Sequence, residues 1–357
     1  MVINLEDFDA KRIEQLNITM QTNCDVWQLM AQFVNDTPQF VTLEMLNEFT
    51  EEYGMSPEMA FAMLLASACG LDTSENQLHK EIFADYFVPS VHCLNPDDYT
   101  DDMYLKTIKF PNKTIGEWQF SIATYKPCEV FIFNEPVQTS DFKEFPQIGF
   151  FKEEFSYPVV MQNGREWMSL KPNEIETMRT HIENARGRVL VYGLGLGYYA
   201  FMVSQKKTVS KVTIVEKDSN LIEIFEKEIL PQFPNRAKIE IINNDAYAFA
   251  SRIEPDSGIY DFIFSDIWHD TGDGLSMYLR LKELNSKISN CNCGYWIEKS
   301  LLSRLRVTVF DQMYRIFQQP KRTPNDGEKV VTTYNDFIKM LSDNELRNIK
   351  VASTHSY

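Results

Sequence analysis

No stretch of the sequence approaches the roughly eighteen consecutive apolar residues that a membrane-spanning helix needs. The longest apolar run lies around Ala60 to Cys69, so no membrane span is expected. Cysteine is sparse and scattered: Cys24, Cys69, Cys93, Cys128, Cys291 and Cys293 never form the Cys-x-x-Cys pair that zinc sites favour. Reduced thiols and no bound metal are therefore expected, as in a cytosolic chain. Basic charge is also in short supply. With 35 Lys and Arg against 51 Asp and Glu, the formal charge is −16, a field that repels a phosphate backbone. Nucleic acid is a poor candidate partner, and Lys206-Lys207 and Lys321-Arg322 are the only local hints of a basic groove. The segment Met1 to Lys11 carries Glu6, Asp7 and Asp9 where an export signal would need a basic start and an apolar run, so a cytoplasmic location is expected. His79, His92 and His181 are isolated and make no metal set.

What is present is a chain of 357 residues, 44 % hydrophobic, long enough for more than one ordinary core. Apolar residues recur at helical spacing from Leu5 to about Phe87, with Pro57 placed to open a helix. Short aromatic and β-branched runs follow at Trp118 to Thr124, Val130 to Phe133 and Ile148 to Phe151. From Pro172 the rhythm becomes strand, helix, strand, helix, with strands expected at 188–192, 211–216, 239–243, 260–266 and 294–298. This pattern predicts an α/β fold: a Rossmann-like parallel sheet with helices on both faces, preceded by a helical bundle and a small antiparallel β region. The divisions expected are a helical part over 1–95, a β-rich part over 96–170, the Rossmann-like domain over 171–320, and a mobile connection with a final helix over 321–357.

The strand Val189 to Tyr192 runs directly into Gly193-Leu194-Gly195-Leu196-Gly197 and then into a helix. Glycines belong in such a turn because it is tight and a side chain would block a ligand's approach to the backbone. Glu216 ends the next strand about 20 residues on, where a carboxylate can accept both ribose hydroxyls. Asp245 follows the third strand and Asp266 ends the fourth. In an open parallel sheet these strand ends line one crevice, so the four features converge on one nucleoside. A nicotinamide site would want Gly or Ala at the sixth loop position, where Tyr198 stands, which favours the adenosine of S-adenosylmethionine.

From about Asn173 to Glu298 the sequence resembles the class I S-adenosylmethionine-dependent methyltransferases, within them the spermidine-synthase-like branch. The likeness is carried by Val189 to Gly197, Val212 to Asp218, Leu230-Pro231, Asn244-Asp245-Ala246 and Asp261 to Asp266. It implies that Gly193, Gly195 and Gly197 pass the methionine part of the cofactor, that Glu216 binds ribose and Asp245 the adenine amino group. Asp266 would face the sulfonium and the incoming substrate. Tyr192, Lys217 and Ala246, adjoining these residues, complete the expected cofactor set. Asn173-Glu174 falls near the place where polyamine synthases have a Gln-Glu pair opening a helix.

Two departures pull in different directions. Val191 stands where many methyltransferases have an acid and polyamine synthases are apolar; Leu196 stands where polyamine synthases hold the aminopropyl amine with an Asp. The leading expectation is methyl transfer from S-adenosylmethionine to a small-molecule or peptide acceptor, with Asp266, His269 and Asp270 at the reacting end and no metal. His269 would act as base and Asp270 would orient it. One alternative is aminopropyl transfer from the decarboxylated cofactor, with Asp266, Asp270 and Asp273 holding a cation. The other is a nucleoside-binding module without chemistry.

Overall fold

A computed structural model of the chain describes residues 1–268 and 271–349. The N-terminal part is built on a 30-residue helix, Asp7–Asp36, whose buried Ile13, Leu16, Met20, Val26, Met30 and Phe33 recur at helical spacing. Helices Leu43–Tyr53 and Pro57–Ala68 follow, opened by Thr42 and Ser56, whose side-chain oxygens accept from the Met45 and Met59 backbone N–H groups, both at 3.2 Å. Pro57 sits in the first turn, where its missing N–H costs nothing. Phe61 of the third helix stacks on Phe150 at 4.2 Å between centroids, joining the helices to the β region.

The β region contains two small sheets. One pairs Phe131–Gln138 antiparallel with Glu144–Phe150, which also takes Val91–Cys93 as a parallel neighbour. The other is wholly antiparallel and runs Lys113–Ile115, Trp118–Tyr125, Phe155–Gln162, Arg165–Ser169.

The five-stranded parallel sheet is Rossmann-like. Gly187–Tyr192 lies at its centre, with Val209–Glu216 and then Ile239–Asn243 on one side. Phe262–Ser265 and then Asn292–Tyr295 lie on the other. The continuous burial of Val189 to Tyr192 and of Val212 to Val215 is what a sheet covered on both faces demands. Because strand order reverses at the central strand, a crevice opens beyond the C-terminal ends of Gly187–Tyr192, Val209–Glu216 and Phe262–Ser265.

Three elements differ from the sequence expectation. The last strand stops at Tyr295, and Glu298 instead opens a 20-residue helix, Glu298–Phe317, which strand-helix alternation did not place. Its Leu301, Leu302, Leu305, Phe310 and Met313 are buried at helical spacing. The helix that strand-helix alternation places between Val209–Glu216 and Ile239–Asn243 is broken: Ser219–Ile224 passes into a π-helical turn, Phe225–Ile229, and then a 3₁₀ turn containing Pro231, which has no N–H to donate. The stretch expected as a mobile connection is pinned. Lys321 Nζ donates to the Leu5 carbonyl at 2.6 Å, Arg322 pairs with Glu328, and Val330–Val331 forms a parallel pair with Val2–Ile3. Among the described residues no helix is long and apolar enough to cross a membrane.

Candidate active site

The turn after the central strand takes positive φ at all three glycines: 93° at Gly193, 53° at Gly195 and 77° at Gly197. The reasons differ. A Cβ at Gly193 would lie 1.9 Å from the Asp266 carbonyl oxygen, and one at Gly197 would lie 2.3 Å from the Phe225 ring, so both positions are closed by packing. A Cβ at Gly195 would meet nothing within 4 Å, leaving open space above the loop. Glu216 braces this turn: one carboxylate oxygen accepts from the Leu194 N–H at 3.1 Å and the other from the Asp218 N–H at 2.8 Å. Each oxygen accepts one of these bonds and keeps lone-pair capacity for a further donor.

Asp245 is exposed and caps its own helix, accepting from the Ala248 N–H at 2.9 Å. Ala246 is buried behind it and Lys217 is exposed beside Glu216. Tyr192 turns its ring under the sheet toward Phe249, 6.4 Å away, and takes part at the crevice through its carbonyl, which accepts from the Asp266 N–H at 2.9 Å. His269 and Asp270, expected at the reacting end, lie outside the described residues. Trp268 is a buried anchor, edge-on to Tyr278 at 6.5 Å. Glu298, which follows the last strand, is held by the Tyr278 hydroxyl at 2.7 Å and by Arg347.

Two carboxyl groups meet where the sheet ends. Asp266 and Glu174 line one small cavity of about 50 Å³ together with Gly193, Gly195, Leu196 and Met178. Burial, with Glu216 nearby, raises the Asp266 carboxyl to about 7. Burial first, then the Asp266 charge, pushes Glu174 well above the usual carboxylate range. No hydrogen bond reaches the Glu174 side chain among the described residues, and no group of three or more metal-ligating side chains forms among them. The cavity is small enough to admit a few carbon atoms.

Sequence reasoning missed the clamp over this loop. The Tyr104 hydroxyl donates to the Leu196 carbonyl at 2.5 Å, and its ring packs edge-on against Tyr198 at 5.6 Å. The Tyr198 hydroxyl donates to Asp102 at 3.0 Å. No local signal marks Asp102 or Tyr104, because the contact spans about ninety residues of sequence.

Residues 174–282 match the family model of the spermine/spermidine synthase domain. None of the curated proteins compared matches the chain. Among solved structures, the chain is similar to the spermidine synthase of Thermotoga maritima, with 15 % identity, a TM-score of 0.30, and coverage of 42 % of this chain and 55 % of that one. It is also similar to a spermidine synthase solved in complex with the transition state analogue AdoDATO, with 19 % identity, a TM-score of 0.29, and coverage of 36 % and 46 %. The chain thus spans about half the length of these structures.

The family match overturns the leading expectation of a methyltransferase using S-adenosylmethionine as methyl donor. Leu196 lines one small cavity together with Glu174 and Asp266. Residues 174–282 thus resemble the spermine/spermidine synthase domain and carry four of the five strands of the Rossmann-like sheet.

Proposed function

We propose that the chain is a transferase that passes an aminopropyl group from decarboxylated S-adenosylmethionine to an amine. The observation that carries this reading is the pair Glu174 and Asp266 facing one cavity beside the glycine turn. The open space at Gly195, the bracing carboxylate of Glu216 and the exposed Asp245 fit a ribose and an adenine laid along the crevice. The donor supplies an electrophilic methylene beside a sulfonium, whose C–S bond breaks with its electron pair on sulfur as the amine forms the new N–C bond. Glu174 offers its carboxyl to a cationic group. Asp266, with a carboxyl poised at about 7, takes the proton that the amine loses. Alignment of the amine with the methylene accounts for the rest of the rate.

Turnover with decarboxylated S-adenosylmethionine, followed as release of methylthioadenosine by mass spectrometry across a set of amines, tests the reading. Asp266 must be unprotonated to accept a proton, so kcat should rise with pH through about 7. The Asp266→Asn variant should lose about 10²-fold or more in kcat while its affinity for the donor changes little. An unchanged kcat in the variant, or no methylthioadenosine with any amine, contradicts the proposal.

A further inference from the structure

A second, much larger cavity of about 790 Å³ adjoins the small one, and Ser169 and Glu174 line both. Its walls come from the first helix, the strand Phe131–Gln138, the start of helix Pro172–Asn184 and helix Glu298–Phe317. Most of this lining lies outside the residues matched to the synthase family. The volume is that of a site for a drug-sized molecule rather than for a short alkyl chain.

The charges of the wall decide what it suits. Glu144 is neutralised by Arg306 at 2.7 Å and takes a hydrogen bond from Ser303. Glu166 is paired with Lys171 at 2.5 Å and accepts from Ser169 at 3.0 Å. Glu135 accepts from the Lys299 N–H at 3.3 Å and lies 3.4 Å from its ammonium. Glu129 accepts from Gln39 at 3.0 Å and from the Lys126 N–H at 2.9 Å. Glu174 differs from all of these: it has no hydrogen bond among the described residues and stands at the junction with the small cavity. A second ammonium on the same ligand would find cations in the wall, Lys171, Arg304 and Arg306, and no further carboxylate free of a partner. Between these groups the lining is mostly apolar, with Trp27, Val34, Phe131, Ile132, Trp296 and Val307, and its uncharged polar side chains include Asn134, Gln138 and Asn173. Such a surface gains from burying hydrocarbon and loses from burying an unpaired charge.

We infer that the large cavity is an acceptor chamber for a primary monoamine carrying an apolar, ring-sized body, its nitrogen held at Glu174 and its body against Trp27 and Trp296. This rests on the donor reading above, because it takes the small cavity as the place where the propyl group arrives. It differs from a linear polyamine site, which would need carboxylates spaced along the chamber.

Calorimetric titration of the full chain with 2-phenylethylamine and with putrescine, each in the absence of donor, tests the inference. The arylalkylamine should bind at least tenfold more tightly than the diamine. Glu174→Gln should weaken it tenfold or more, and Trp27→Ala should weaken it severalfold while donor binding, titrated separately, is retained as the check on folding. Putrescine binding as tightly as the arylalkylamine, no binding of either at millimolar concentration, or indifference to both substitutions would overturn the assignment. If the donor binds and the arylalkylamine does not, only the chamber's assignment fails. If the arylalkylamine binds and the donor does not, the transferase reading fails and the chamber remains an amine site.

Discussion

A Cβ at Gly193 would sit 1.9 Å from the Asp266 carbonyl oxygen, whereas one at Gly195 would meet nothing within 4 Å. The two glycines of one loop therefore answer to different demands, fold at the first and ligand at the second. Gly193→Ala should destabilise the chain by about 1–3 kcal/mol from overpacking, with left-handed strain added. Gly195→Val should keep the chain folded at the cost of that strain alone, yet fill the approach to the loop and abolish nucleoside binding. Denaturant midpoints and nucleoside titrations on both variants check this, and normal nucleoside binding by Gly195→Val would remove the loop from the site. The glycines and Glu216 were legible because a turn between strand and helix leaves a local mark. Glu174 was visible only as a likeness at a helix start, and its lack of a hydrogen bond among the described residues is a fact of three-dimensional neighbours.

The elements beyond the parallel sheet are joined through helix Glu298–Phe317. Its Arg306 is buried and reaches Glu144 of the β region at 2.7 Å, Asp343 at 2.5 Å and the Leu341 carbonyl at 3.0 Å. Burial raises the Glu144 carboxyl, and the Ser303 hydroxyl and the Arg306 charge oppose that rise. Removing one partner strands the other charge, so Arg306→Ala should cost about 3–5 kcal/mol in chemical denaturation. The paired change Arg306→Met with Glu144→Gln should cost less, since it leaves no buried charge unmatched. A single variant no less stable than the pair would show that the bridge does not join these elements. This helix was missed because the strand before it was extended to Glu298, although Leu301, Leu302, Leu305 and Phe310 carry the helical spacing. The three inner strands were legible from their apolar runs, which burial on both faces requires, whereas Asn292–Tyr295 carries no β-branched residue and shares only Gly294 and Tyr295 with the expected 294–298.

Across the whole molecule, the −16 charge and the two coupled cavities point to the same kind of ligand. A donor bearing a sulfonium and an ammonium, and an acceptor bearing an amine, are both drawn toward an acidic surface. The large chamber could not be read from the sequence, because Trp27, Phe131, Glu174, Trp296 and Arg306 come from five separate segments. Leu196, taken alone, pointed away from an aminopropyl donor, and the family match over residues 174–282 reverses that reading. The central claim is that this corner of the crevice holds a cation where a methyl donor would bring a carboxylate. Side-by-side calorimetric titration of decarboxylated and intact S-adenosylmethionine, at one pH and one salt concentration, measures it directly. The decarboxylated form should bind at least tenfold more tightly, a difference of about 1.4 kcal/mol. Equal or tighter binding of the intact form would contradict the account.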